Sequence, residues 1–111
     1  MYIHCIYFYV DTRYKYQGQP FEWDSEKAVA NLSKHGVSFE RACEIFFDPF
    51  ICVVDATDRE DEARDAAIGL DRDLKMLFVV HLVRGAENLE SIRILSARMA
   101  TPQERQHYEN Q

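Results

Sequence analysis

Asp24-Ser-Glu-Lys-Ala-Val-Ala-Asn-Leu-Ser-Lys-His-Gly36-Val-Ser-Phe-Glu-Arg-Ala-Cys-Glu-Ile-Phe-Phe-Asp-Pro49 carries the clearest helix start and stop signals in the chain. It reads as two short helices joined by one glycine. Asp24 can accept a free amide proton of the first turn, Glu26 suits the positive helix end, and Gly36 supplies the left-handed residue that ends helices. Ser38 caps a second helix. Asp48-Pro49 stops it, because the residue before proline is pushed out of the α region and proline has no amide proton. The rest of the chain reads as a sheet that receives this helical hairpin.

Projected at about 100° per residue, the first helix separates into faces. Ala28, Val29 and Leu32 mark an apolar stripe. Lys27, Asn31 and Lys34 fall together on a polar one, with His35 on the border. The polar stripe carries no acid past the first turn. It is either a solvated face, with His35 a partner of the helix dipole, or a cationic ledge.

Working outward, Met1 to Pro20 opens with the β-prone run Tyr2, Ile3, Ile6, Tyr7, Phe8, Tyr9, Val10, continues with Tyr14 and Tyr16, and ends in the breaker Gln17-Gly18-Gln19-Pro20. This segment is an extra edge strand, a dimerisation arm or the product of an upstream start codon, set apart from one domain over residues 21–111. Phe21-Glu22-Trp23 forms a very short strand with Phe21 and Trp23 pointing the same way. Past the helices come four strands. Phe50 to Val54 is apolar on both faces and predicts a covered strand; Ala63 to Leu70 alternates; Met76 to Val83 is the strongest β-run and predicts a central strand; Ile92 to Ala97 follows. Their connections are too short for crossovers, which makes an antiparallel meander. Thr101-Pro102-Gln103-Glu104 opens a short C-terminal helix with a capping box. The predicted class is α+β: an antiparallel meander, an N-terminal helical hairpin packed on it, and a short last helix.

The 111 residues, 47% hydrophobic, suffice for a single core without staples. No stretch approaches a membrane span and no signal peptide is visible, which predicts a cytoplasmic protein. Cys5, Cys43 and Cys52 are odd in number and set among apolar neighbours, so they read as buried thiols rather than disulfides or metal ligands. The net charge of −6 argues mildly against nucleic acid. Much of it is local, however: Asp55 to Asp65 holds six acids against two bases, −4 of the −6.

Chemistry then falls to Arg64, His81, Arg84, Arg93, Arg98, Lys34 and His35, since no phosphate loop, paired-cysteine motif or helical acid pair is present. Hairpins symmetric about their turns pair residues whose numbers sum to about 145 and about 175. Arg64 then lies opposite His81, and Arg84 meets Arg93 near the mouth of the last loop. Arg98 falls opposite Phe78, roughly 20 Å along the sheet from Arg84 at about 3.3 Å per residue, and belongs with the last helix or the acidic loop.

The run Phe21-x-Trp23-Asp24-x-x-Lys27-x-x-x-Asn31-x-x-Lys34-His35-Gly36-Val37-Ser38-Phe39, then Phe46-x-Asp48-Pro49, resembles the signature of the BrnT toxins of bacterial type II toxin-antitoxin systems. Gly69, Leu77 to Val80, Arg84, Arg93-Ile94-Leu95-Ser96-Ala97-Arg98-x-Ala100-Thr101 and Glu104 to Tyr108 resemble the family's C-terminal half. Met99 and the acidic loop depart from it. The resemblance implies a RelE-like ribonuclease toxin fold, RNA cleavage that arrests translation, and a BrnA-like ribbon-helix-helix antitoxin that alone contacts operator DNA.

A ribonuclease working without metal or cofactor needs a base for the ribose 2′-hydroxyl, cations for the phosphorane charge and an acid for the leaving oxygen. Arg64, Arg84 and Arg93 suit the electrostatic role. Proton transfer falls to His35 or His81, with His35 favoured because it lies in the family motif. Lys27, Lys34, Arg98 and His81 are the expected RNA contacts. The acidic loop would speed encounter with a basic antitoxin. Two other classes stay open: a catalytically dead co-repressor, and an interaction module that adds its aromatic N-terminal strand to a neighbour's sheet.

Overall fold

The computed structural model describes residues 11–57, 63–86 and 89–111. The early aromatic run Met1 to Val10 with Cys5, and the acids Asp58, Glu60 and Asp61, lie outside the described residues. Elements follow in the order β1 (Asp11–Tyr16), β2 (Gln19–Asp24), α1 (Ser25–His35), α2 (Phe39–Glu44), a 3₁₀ turn (Ile45–Phe47), β3 (Cys52–Asp55), β4 (Asp65–Leu70), β5 (Met76–Ala86), β6 (Leu89–Met99) and α3 (Pro102–Glu109). The strands form one six-stranded sheet in the order β1-β2-β6-β5-β4-β3.

The helix ends are where the sequence puts them. Asp24 Oδ1 accepts from the amides of Glu26 and Lys27, Gly36 closes α1 at φ 73°, Ser38 accepts from Arg41 N–H, and both arms of the Thr101/Glu104 capping box are made. Their place in the chain differs from expectation. α1 and α2 lie mid-chain behind the β1–β2 pair, and each packs on the sheet, so an N-terminal helical hairpin is not the observed arrangement. Gln17 and Gly18, with φ of 50° and 86°, make the two-residue turn whose twist suits a hairpin. What reads as a breaker is therefore the β1–β2 connection.

The meander β3-β4-β5-β6 is antiparallel throughout, but the sheet as a whole is not. β2 pairs with β6 in parallel through Phe21↔Ile92 and Glu22↔Arg93. Among the described residues β3 is an edge strand rather than a covered one: it has a single neighbour there, and Val53 is 53% exposed. β5 is internal, as its composition predicts.

One face of the sheet carries the core. Phe21, Trp23, Ala67, Leu77, Val79, Ile94 and Ala97 meet Val37, Phe39, Ala42, Cys43 and Ile45 beneath the helices. Gly69 is required where β4 runs under the 3₁₀ turn, because a Cβ there would stand 3.1 Å from Ile45 Cβ. Cys43 is buried, and burial pushes its thiol pKa up; Cys52 is only half-buried. At the far end, Asp48 accepts from the Phe50 and Leu70 amides and from the Tyr108 hydroxyl, which ties α3 down.

α1 docks in a way its pattern conceals. Ala28 packs against the core, but Val29 is 71% and Leu32 51% exposed, so most of the apolar stripe faces outward, while Asn31 from the polar stripe is buried. Its amide donates to Val37 O and Ala97 O and accepts from Ala97 N–H. β2 leaves β6 after two residue pairs, and Asn31 gives Ala97 the two bonds a neighbouring strand would have made.

Candidate functional site

Side chains alternate between the faces of a strand, so the residues between the core positions of β5 and β6 form a second, outer face. Two details of register decide what it carries. First, Asp65 rather than Arg64 stands opposite His81. The β4–β5 turn is centred one half-residue later than its acids suggest: it spans Asp71 to Lys75 and places Leu74 at φ 63°. A one-residue slip sends a side chain to the other face. His81 accordingly lies in the core, against the Phe46 ring and within 3.2 Å of Val79 O, its pKa lowered by burial, while Arg64 precedes β4 on the outer side. The expected apposition of these two residues is overturned.

Second, β6 carries a bulge. Ser96 pairs with Val80 but Ile94 with His81, which leaves Leu95 as the extra residue. Bulges re-aim side chains. Ala97 and Ile94 both reach the core, three residues apart, and Arg93 is thereby turned to the outer face.

That face holds two connected features. A recess of about 510 Å³ is lined by Lys27, Ala56, Thr57, Arg64, Val80, Leu95 and Ser96. Its Arg64 wall is fixed by the loop stems: Thr57 Oγ1 lies 3.1 Å from Arg64 N, and Arg64 O accepts from Ala56 N–H. Lys27 enters from α1, beyond the β6 edge that Asn31 holds. Beside the recess lies an arginine–carboxylate network. Arg93 donates to Glu22 Oε2 at 2.9 Å and to both oxygens of Asp11 at 3.2 Å. Arg13 stands 3.5 Å and Arg84 4.0 Å from the same Glu22 carboxylate. The hydrogen bonds it donates to Asp11, outweighing partial burial, hold the Arg93 pKa above its ordinary value. Arg84 is 53% exposed. Strand spacing puts Arg64 and Arg93 about 10 Å apart, with Leu82 between them.

The structure therefore brings Arg64 and Lys27 into one recess and places Arg84 and Arg93 on the same face. It does not bring the histidines there. His35 sits in the last turn of α1, eight residues or about 12 Å along the helix from Lys27, and is not part of the recess lining. Lys34 is exposed one turn past Asn31. Arg98 stands opposite Phe78, as the sequence predicts, with its guanidinium 4.2 Å above that ring and two bonds to Glu104 of α3. Sequence reading missed Glu22 and Asp11. Glu22 was legible, since a residue between two same-facing core aromatics must point the other way; Asp11 was not, because its pairing depends on the β1–β2 register.

An anion would meet guanidinium and ammonium groups here, the chemistry that suits a phosphodiester backbone. No helix is long and apolar enough to cross a membrane among the described residues. No curated protein matches the chain. A family model described as the ribonuclease toxin, BrnT, of type II toxin-antitoxin systems does match it, over residues 23–104, and thus covers the α1 motif, the recess and Arg84 and Arg93 of the last hairpin. The chain belongs to the BrnT family of type II toxin–antitoxin ribonuclease toxins.

Proposed function

We propose that the chain is an endoribonuclease toxin that grips RNA phosphates on the outer sheet face, cleaves without a metal ion and so arrests translation in the cytoplasm. The observation that carries this reading is the shared recess of Lys27 and Arg64, with Arg84 exposed on the same face. Arg64 and Arg84 stabilise the charge that builds on phosphorus, Lys27 and Lys34 hold flanking phosphates, and Arg93 orders the network beside them. Ser96 and Thr57 line the same recess as hydrogen-bonding partners for RNA. The scaffold is of the RelE type, and the neutralising partner is a BrnA-like ribbon-helix-helix antitoxin that carries the complex to operator DNA.

Purified Arg64→Ala and Arg84→Ala proteins test this reading. Each is expected to lose about 100-fold or more in RNA cleavage and to relieve growth arrest on induction. Folded variants that cleave and arrest like the parent would refute it.

A further inference from the structure

Four polar side chains are buried among the described residues: Glu22, Asn31, Asp71 and His81. Three have structural duties. Asn31 bridges Val37 and Ala97, Asp71 accepts the Asp73 and Lys75 amides and the Arg41 guanidinium, and His81 packs in the core beside Val79 O. Glu22, 8% exposed, is held differently. Its partners among the described residues are guanidinium groups from three strands, Arg13 of β1, Arg84 of β5 and Arg93 of β6.

With Asp11 included, the network has three cations and two acids, a surplus of one positive charge beside a carboxylate. Arg93 is engaged by both acids, whereas Arg84 stands 4.0 Å off and half in solvent. A phosphate that binds Arg84 is therefore brought beside the Glu22 oxygens.

We propose that Glu22 is the proton acceptor for RNA cleavage, taking the ribose 2′-hydroxyl proton of a nucleotide whose phosphate is held by Arg84. This inference rests on the reading of the outer face as the RNA site. The 2′ oxygen attacks phosphorus as its proton passes to the carboxylate, and the P–O5′ bond breaks to leave a 2′,3′-cyclic phosphate. The departing 5′ oxygen takes a proton from solvent water, and Glu22 returns its own proton to solvent. Arg84, with Arg64, carries the phosphorane charge, and Arg93 holds Glu22 in place. The charged groups facing Glu22 are Arg13, Arg84 and Arg93, with Asp11 across Arg93. No histidine is among them within the described residues, so the acid limb of the pH–rate profile, compared between wild type and Glu22 variants, is the readout for the base.

The test compares wild type, Glu22→Gln, Glu22→Asp and His35→Ala in single-turnover cleavage of an RNA oligonucleotide across pH, and in binding of the uncleavable 2′-O-methyl version. Glu22→Gln is expected to bind the analogue as wild type does, to cleave about 100-fold or more slowly, and to lose the acid limb. Glu22→Asp restores the limb at reduced rate and guards against mere loss of folding. Cleavage by Glu22→Gln at the wild-type rate, survival of its acid limb, or loss of the limb in His35→Ala instead would overturn the assignment. A wild-type protein that cleaves no RNA would fail the function reading itself, and this inference with it.

Discussion

Asp71 and Glu22 are both buried carboxylates bound to arginine, yet they sit in opposite kinds of surroundings. Asp71 closes the β4–β5 turn: backbone amides of Asp73 and Lys75 occupy one oxygen and Arg41 from α2 occupies the other at 2.8 Å. Each donor around it belongs to the fold. Glu22 lies between strands on the sheet's outer face, ringed by side chains that outnumber the acids. The first arrangement consumes its charge in holding a turn; the second leaves charge over for a ligand. Arginine–carboxylate contacts therefore separate into structural and ligand-facing ones by asking whether backbone amides share the acid.

The contrast is broken or sharpened most strongly at Asp71. Asp71→Ala strands the Asp73 and Lys75 amides and the Arg41 guanidinium, a loss of about 2–3 kcal/mol, read as the shift in urea unfolding. Binding of 2′-O-methyl RNA by the folded fraction is expected to stay at the wild-type level. A binding loss as large as that from Arg84→Ala would erase the distinction.

Acid titration gives the next effect. Burial would raise the Asp71 pKa, but the Lys75 amide, the Arg41 guanidinium and the Asp73 amide together hold it below the usual value. A depressed folded pKa contributes stability above the unfolded value of about 3.9, lost as pH falls through the folded one. Wild-type and Asp71→Asn stabilities are thus expected to differ at neutral pH and to converge below about pH 4. Parallel curves down to low pH would count against the assignment.

The smallest effect is expected at Arg13, whose side chain is 78% exposed. Arg13→Ala should change stability by no more than about 0.5 kcal/mol, while lowering the salt slope of RNA binding by about one. An unchanged slope would place the RNA away from β1.

Local signals were legible in the sequence wherever a short-range mechanism enforces them. Asp24, Gly36, Ser38 and Thr101 cap as predicted because capping needs only neighbours in the chain. The meander and the Arg98–Phe78 apposition follow from hairpin symmetry. What failed depended on distant partners. The parallel β2–β6 pair and the acids gathered on Arg93 join segments some 70 or more residues apart. The faces of α1 were misread because periodicity ranks apolar burial first, whereas three hydrogen bonds from Asn31 orient this helix. Arg64 and His81 were placed together by a hairpin register only one residue in error, enough to put them on opposite sides of the sheet.

The additional residue at Leu95 gives the length of β6 a chemical meaning. Three positions rather than two separate Ile94 from Ala97, so the alternation resets between outer face and core. Regular pairing through Leu95, without the bulge, would swing the Arg93 guanidinium inward and Ile94 out to solvent. A one-residue slip of β6 against β5 is thereby opposed twice over, by the loss of Ile94 from the core and by the withdrawal of Arg93 from its carboxylate partners.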